Sequence, residues 1–240
     1  MTGPIAYIGG KNRLAKQIIA LFPEHTTYVE PFAGGAQVLF HKEPSKVEVI
    51  NDLDGEVVNF YRVCQWHHRE LSRLLESMPP SRRLHELHVK TDPRGLTDVQ
   101  RAARFLYLQK NSIGGLIRKQ SFHYGVVHRQ NYNPSRMHAV LESAHRRLQD
   151  VQVECLPYEE ILERYDRPTT LFYLDPPYYR RKLYRHNFAD EDFRHLGERL
   201  RVIKGKFILS LNDHPDIRRI FQGFPILETD IASTAQAKTG

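Results

Sequence analysis

A short segment near position 175 carries the most specific chemistry in the sequence. Asp175-Pro176-Pro177-Tyr178 follows an apolar stretch at 169–174 that favours a buried strand. Two successive prolines fix φ and remove two N–H donors, so the Asp175 carboxylate and the Pro176 carbonyl are held as neighbouring acceptors. This pair suits an amine with two N–H groups, and the Tyr178 ring offers a face on which a base can stack. A stiff turn around a buried tyrosine is the simpler alternative.

A second candidate site lies in the first third of the chain. A β-favouring run at 27–29 leads into Glu30-Pro31-Phe32-Ala33-Gly34-Gly35-Ala36, which is typical of a strand, a tight turn and a helix. The complete dinucleotide pattern G-x-G-x-x-G is absent, so a pyrophosphate is not the expected ligand. Asp52 follows the next predicted strand, at 46–50, where an acid can accept hydrogen bonds from both ribose hydroxyls. Together these features favour a nucleoside cofactor over a plain turn and a plain helix cap.

The N-terminal segment Tyr7-Ile8-Gly9-Gly10-Lys11 combines an aromatic residue and a lysine with two glycines. Glycines let the backbone approach a bound group closely, which would bring both side chains to it. An ordinary turn before a helix explains the same residues equally well.

Strand and helix patterns alternate on both sides of a helical middle block. Further strands are predicted at 151–156, 206–211 and 224–229. This order indicates an α/β fold in which one sheet domain is interrupted by an insertion. We expect residues 1–61 and 140–240 to form the sheet domain and residues 62–139 to form the mostly helical insertion.

Positive charge is concentrated in the middle of the chain. Residues 62–147 hold 16 Lys and Arg against 6 Asp and Glu, whereas the net charge of the whole chain is only +7. Such a block favours a surface that neutralises phosphates. A solvated, arginine-rich helix face is the alternative.

Composition excludes several classes of protein. With 40% hydrophobic and 26% charged residues and no long apolar run, the chain is not expected to enter a membrane. Two distant cysteines, Cys64 and Cys155, rule out a disulfide framework and the usual cysteine-based zinc site. The first ten residues lack the features of a signal peptide, so we expect a cytoplasmic protein.

These motifs, taken together and in this order, resemble the DNA adenine methylase (Dam) type of N6-adenine methyltransferases in their α arrangement. The resemblance includes Tyr7 to Lys11, the Glu30 to Gly35 segment, Asn51-Asp52, residues 111–118 and Asp175 to Tyr178. Asn187-Phe188 and the segment Leu209-Ser210-Leu211-Asn212-Asp213 stand where the family has comparable short motifs. The resemblance implies a Rossmann-like methyltransferase sheet domain with an inserted DNA target-recognition domain.

The resemblance also implies roles for individual residues. S-adenosyl-L-methionine would contact Tyr7, Lys11, Phe32, Gly34, Asp52 and Asp175, and the target adenine would contact Asp175, Pro176 and Tyr178. Double-stranded DNA would contact Asn111, Arg118, Lys119, Arg180, Arg181 and Lys182. The expected reaction is direct methyl transfer to an adenine turned out of the helix, with no metal and no covalent intermediate. A monomer or a weak dimer is expected.

Two other functions remain open from the residues alone. One is methylation of N4 of cytosine, or of an RNA amine, because the chemistry of both amines is nearly the same. The other is a DNA-binding module on an inactive methyltransferase scaffold, which cofactor binding would distinguish.

Overall fold

The computed structural model describes residues 3–5, 11, 14–112, 121–122, 132–181 and 184–229. The strands in these ranges are β1 (Thr27–Glu30), β2 (Val47–Asn51), β3 (Val151–Glu154), β4 (Thr170–Leu174) and β5 (Lys206–Leu209). The helices are α1 (Ala15–Ala20), α2 (Gln37–His41), α3 (Gly55–Trp66), α4 (His68–Glu76), α5 (Arg82–Lys90), α6 (Asp98–Asn111), α7 (Met137–Leu148), α8 (Tyr158–Tyr165), α9 (Asp190–Arg201) and α10 (Pro215–Ile220). Short 3-10 turns lie at Pro93–Gly95 and Pro134–Arg136.

The five strands form one parallel sheet in the order β3-β2-β1-β4-β5. Val29 in β1 lies between Val49 of β2 and Phe172 of β4. The strand order reverses direction between β1 and β4. In sheets of this kind ligands bind outside the carboxyl ends of the strands at that switch point. The predicted α/β class is confirmed, and the switch point fixes where the site lies.

The core is divided between the two faces of the sheet. Tyr28, Ile50 and Leu171 pack with the helices on one face, whereas Val29, Val49 and Phe172 pack with α8, α9 and α10 on the other. Neighbouring strand residues point to opposite faces, so both faces of every central strand must be apolar. This explains why β4 is buried at all five positions.

The helices of the middle block pack directly on the sheet domain. Helix α3 contacts α6 and α7, and α4 contacts α6 and α7. Phe105, Leu141 and Leu148 belong to the same buried cluster as Tyr28 and Ile50. The helical segment therefore shares a hydrophobic core with one face of the sheet. None of the helices in the described ranges combines the length and the apolarity that a bilayer crossing requires.

One predicted strand is absent. Residues 224–229 do not join the sheet, and Ile226 and Leu227 are largely exposed. An apolar pattern alone does not decide pairing, and in the described residues the outer edge of β5 is left without a partner strand. The irregular hairpin predicted after α6 lies mostly outside the described residues, which contain one antiparallel bridge between Ser112 and Phe122.

Candidate active site

The carboxyl ends of β1, β2 and β4 border a cavity of about 580 Å³. Pro31 to Gly35 follow β1, Asp52 follows β2, and Asp175 follows β4, so three separate segments meet here. Parallel strands bring their carboxyl ends to one edge of a sheet, which is why residues distant in sequence share this wall. The two candidate sites drawn from the sequence are therefore one site.

Gly34 makes the turn that brings the backbone to the cavity. Its φ is 45°, in the left-handed region that residues with a side chain rarely adopt. The Gly34 N–H donates to Oδ2 of Asp52 at 2.8 Å, and its carbonyl accepts from the Tyr61 hydroxyl at 2.8 Å. The turn is therefore fixed on one side to β2 and on the other to α3.

Asp52 is held by main-chain donors. Oδ1 accepts from the N–H of Asp54 at 2.8 Å, and Oδ2 accepts from Gly34. Burial raises the pKa of Asp52 to about 6, although these hydrogen bonds act in the opposite direction. Each oxygen keeps a second lone pair, so the carboxylate can still accept hydrogen bonds from a ligand.

Asp175 forms a buried ion pair across the site. Lys11 Nζ lies 2.7 Å from Oδ1 and 2.9 Å from Oδ2 of Asp175, and 2.5 Å from the Tyr178 hydroxyl. Burial raises the pKa of Asp175, and Lys11 opposes this shift. Burial alone would lower the pKa of Lys11, but Asp175 and Tyr178 together outweigh it and the pKa is raised. Each group therefore shifts the pKa of the other toward its charged form.

The cavity wall also contains three aromatic rings. Phe32 lies 5.4 Å from Tyr158 and 5.5 Å from Phe188, and Tyr158 lies 5.5 Å from Phe188, between ring centroids. These three residues come from the β1 turn, the start of α8 and the segment before α9. Such rings offer flat apolar faces to a ligand.

The segment 184–188 closes another side of the cavity, and all five of its residues line it. Asn187 forms two hydrogen bonds within this segment. Its Oδ1 accepts from the Tyr184 N–H at 3.1 Å, and its Nδ2 donates to the Tyr184 carbonyl at 2.6 Å. Arg185 Nη1 reaches Oδ1 of Asp54 at 3.2 Å, linking the segment to the end of β2. Burial first, and then the nearby acidic groups Asp175, Tyr178 and Asp52, raise the pKa of Tyr184.

Sequence reasoning missed Tyr158, Tyr184 and Arg185 as cavity residues. Their positions follow no motif or period that the sequence analysis used, and each reaches the site from a loop or a helix end. For Tyr184 and Arg185, the only sequence feature that pointed to the cavity was their position, six and seven residues after Tyr178.

The predicted target-adenine residues are placed unequally. Asp175 lines the cavity together with Pro177. Pro176 is buried, and Tyr178 is partly exposed beside the cavity, where its hydroxyl meets Lys11. Of the predicted cofactor residues, Lys11, Phe32, Gly34 and Asp52 line the cavity, whereas Tyr7 lies outside the described residues.

The predicted DNA-contacting residues do not form one group. Asn111 is fully buried and its Nδ2 donates to the Tyr107 carbonyl at 2.9 Å, so its side chain does not face solvent in this structure, and its contact with DNA stays a prediction. The helical period at the end of α6 turns it toward the core. Arg180 and Arg181 are exposed, although Arg180 lies 3.4 Å from Asp216. Arg118, Lys119 and Lys182 lie outside the described residues.

Within the described residues, no group of three or more His, Cys, Asp or Glu side chains is arranged to hold a metal ion. The two cysteines are not paired with each other: Cys64 is buried in the core and Cys155 is exposed.

Comparison with known proteins identifies the family. A family model described as "D12 class N6 adenine-specific DNA methyltransferase" matches residues 7–234. Type II methyltransferase M1.LlaDCHI of Lactococcus lactis subsp. cremoris is 27% identical over 254 residues, covering 97% of this chain and 89% of the relative. Type II methyltransferase M.CviBI of Paramecium bursaria Chlorella virus NC1A is 24% identical over 230 residues, with 92% and 86% covered. Retron Ec67 DNA adenine methylase of Escherichia coli is 23% identical over 238 residues, with 93% and 82% covered.

The match confirms the resemblance drawn from the motifs, and it extends over the sheet, the helical middle and the cavity residues alike. The chain belongs to the D12 class N6 adenine-specific DNA methyltransferase family, and it is an enzyme that methylates adenine in DNA.

Proposed function

We propose that the protein transfers a methyl group from S-adenosyl-L-methionine to N6 of an adenine that is turned out of duplex DNA. The observation that carries the proposal is the position of Asp175. It follows β4 at the topological switch point and faces the same cavity as Asp52 and the Gly34 turn. A base and a nucleoside cofactor would therefore meet at this carboxylate.

The cavity fits the cofactor in size and in chemistry. A volume of about 580 Å³ lies within the roughly 300–1,000 Å³ that small-ligand sites occupy. Asp52 would accept hydrogen bonds from the ribose hydroxyls, and Phe32 with its two aromatic neighbours would hold flat apolar surface. Gly34 allows close backbone approach, and Tyr7 from the N-terminal segment is proposed as a further contact. When bound, S-adenosyl-L-methionine supplies an electrophilic methyl for direct in-line transfer.

Asp175 and Pro176 would activate the adenine amine. Its lone pair is delocalised into the ring, so it is a poor nucleophile unless its N–H groups are drawn out of the ring plane. If the Asp175 carboxylate and the Pro176 carbonyl each accept one N6–H, the nitrogen moves toward a tetrahedral shape with its lone pair exposed. Neither a covalent enzyme intermediate nor a metal is needed for this role.

The Lys11 ammonium would have to move away from Asp175 during the reaction. Its ammonium uses both Asp175 oxygens and the Tyr178 hydroxyl, which are groups that the incoming amine and base would contact. We propose that entry of the base displaces Lys11 Nζ from at least one of the Asp175 oxygens. The ammonium still keeps the carboxylate charged from its new position.

The adenine would leave the base stack to reach this carboxylate. Turning a base out of a duplex costs about a few kcal/mol, and stacking on Tyr178 would offset part of it. The basic segment at 62–139 is proposed as the target-recognition domain, with Arg118 and Lys119 as DNA contacts. Arg180, Arg181 and Lys182, which begin two positions after Tyr178, would hold phosphates near the displaced base. We propose that the enzyme acts as a monomer or weak dimer in a bacterial or phage-infected cytoplasm.

Methyl transfer from tritium-labelled S-adenosyl-L-methionine to unmethylated plasmid DNA tests the proposal, with mass spectrometry of the digested nucleosides. N6-methyladenine is the expected product. Asp175→Ala should abolish transfer while DNA binding stays near the wild-type level, and Asp150→Ala, at an exposed aspartate, should leave both unchanged. N4-methylcytosine as the product, or substantial transfer by Asp175→Ala, would overturn the proposed chemistry.

A further inference from the structure

The chain turns sharply directly after Tyr178. The Tyr178 carbonyl accepts from the Arg181 N–H at 3.0 Å, which closes a four-residue turn. Arg180, inside this turn, has a φ of 59°. A bulky residue in the left-handed region persists only where its surroundings hold the backbone in place. Something outside the turn must therefore fix it.

The Asn212 side chain forms hydrogen bonds with the main chain of Tyr179, which is the first residue inside the turn. Its Oδ1 accepts from the Tyr179 N–H at 2.8 Å, and its Nδ2 donates toward the Tyr179 carbonyl at 3.4 Å. Engaging a main-chain donor and a main-chain acceptor at once requires a side chain that carries both functions. Asparagine offers them on a short stem.

The sheet brings Asn212 to this place. Strand β5 pairs with β4 through Leu209 and Leu174, and the Ser210 N–H then donates to the Leu174 carbonyl at 2.8 Å. The chain after β5 therefore continues beside the segment that follows β4. Asn212 lies three residues beyond the end of β5. There its side chain, instead of its main chain, makes the hydrogen bonds to the segment that follows β4.

The Tyr179 side chain is anchored on the side away from the cavity. It is 3% exposed, its ring lies 5.3 Å from that of Phe193, and its hydroxyl lies 3.1 Å from Oδ2 of both Asp190 and Asp216. Neither Tyr179 nor Asn212 lines the cavity. Both hold the chain one residue after Tyr178, whose hydroxyl meets Lys11 at the site.

We propose that Asn212 is a positioning residue for the methyl-transfer step, acting by holding the 178–181 turn so that Asp175 and Tyr178 keep their places at the cavity. This rests on the proposed function of the segment from Asp175 to Tyr178. Asn212 holds the segment that would bind the target base, whereas Gly34 and Asp52, the proposed cofactor contacts that follow β1 and β2, are held by hydrogen bonds of their own. The loss of Asn212 therefore falls on the rate of transfer and not on cofactor affinity.

The test compares Asn212→Ala, Asn212→Asp and wild type in single-turnover transfer to unmethylated plasmid DNA, with calorimetric titration of S-adenosyl-L-methionine. Asn212→Ala should slow transfer by roughly 10- to 100-fold, because small displacements of reacting groups have effects of this size. Asn212→Asp keeps the acceptor of the 2.8 Å bond and should recover part of the rate. The cofactor Kd should stay within about twofold in both variants.

Asn59→Ala is the matched control. The Asn59 amide also donates to a main-chain carbonyl, that of Asp98 at 2.9 Å, but it does not line the cavity. Its loss should lower the thermal midpoint at least as much as Asn212→Ala does, with transfer near the wild-type rate. The inference fails if Asn212→Ala transfers as fast as wild type, or if its loss lies in cofactor affinity. Wild-type protein that transfers no methyl group to adenine would instead defeat the proposed function.

Discussion

Lys11 Nζ lies within hydrogen-bond distance of both carboxylate oxygens of Asp175, although 164 positions separate the two residues in the chain. The side chain of Lys11 is 4% exposed and that of Asp175 is 22% exposed, so water screens their interaction only weakly. Lys11 therefore favours the ionised form of Asp175, and its ammonium occupies the oxygens that a substrate amine would contact.

Replacing Lys11 by methionine should shift the pH dependence of methyl transfer. Burial already raises the pKa of Asp175, and removing the opposing ammonium should raise it further. A protonated Asp175 is a neutral acid and a weaker acceptor for N6–H than the carboxylate is. The single-turnover rate of Lys11→Met should therefore rise with pH over a higher pH range than that of wild type.

Lys16→Met removes an exposed lysine from α1 and should leave the profile unchanged. A Lys11→Met profile that differs from wild type only by a constant factor would show that Lys11 does not set the charge of Asp175.

Replacing Asp52 by asparagine should weaken cofactor binding. Each Asp52 oxygen faces a main-chain N–H, so an amide NH₂ placed there would meet a donor instead of an acceptor. Hydrogen bonds to a charged group contribute about 1.5–3 kcal/mol, which corresponds to a loss of roughly 10- to 150-fold in affinity for S-adenosyl-L-methionine. Calorimetric titration measures it. Asp150→Asn should bind as wild type does, and an Asp52→Asn Kd within twofold of wild type would refute the ribose assignment.

Replacing Glu30 by glutamine should flatten the dependence of stability on pH. Burial raises the pKa of Glu30 from 4.5 to about 7. Between these values the folded protein keeps a proton that the unfolded chain has lost, so the free energy of unfolding decreases as pH rises through this window. The decrease in the free energy of unfolding across this window is on the order of 3 kcal/mol. Glutamine does not titrate, and its carbonyl still accepts from the Tyr28 hydroxyl and the Leu39 N–H.

Urea unfolding at pH 5, 6, 7 and 8 measures this difference. The pKa of Asp52 is also raised, to about 6, so Asp52 likewise lowers the free energy of unfolding as pH rises. Glu30→Gln should therefore keep a smaller dependence of the unfolding free energy on pH, and not lose it entirely. Glu198→Gln, on the exposed side of α9, should keep the wild-type slope. Equal slopes for wild type and Glu30→Gln would mean that Glu30 is ionised in the folded protein near pH 5.

Replacing Arg181 or Arg118 by alanine should weaken DNA binding and reveal what each residue contacts. Loss of a phosphate contact lowers the salt slope of binding by about one with unchanged sequence preference, whereas loss of a base contact relaxes the preference. We expect Arg181 to follow the phosphate pattern because it adjoins Tyr178 and is exposed. Arg118 is equally compatible with either pattern. Arg194→Ala, on α9, is the control, and an Arg181→Ala salt slope equal to wild type would remove Arg181 from the interface.

Parts of the fold depended on local information and were predictable. The Asp175 to Tyr178 segment, the Gly34 turn and the strands that precede them are specified by residues within a few positions of one another. Parallel strands place the segments that follow them at one edge of the sheet. The Asp175 segment and the Gly34 turn therefore line the same cavity because of the sheet topology. Residues 224–229 show the limit, because their apolar pattern did not decide whether they pair with the edge strand β5, and they do not.

The sequence by itself determined the chemistry available to this protein: a rigid acceptor pair after an apolar strand, a glycine turn, an acid after the next strand and a basic middle segment. Tertiary structure alone decided that Lys11 faces Asp175, that Asn111 is buried, and that Asn212 holds the Tyr179 main chain. Motifs arise from neighbours along the chain, where bond geometry limits the conformations. Ion pairs and side-chain-to-backbone contacts between distant segments depend on how helices and strands pack, and no local pattern encodes that packing.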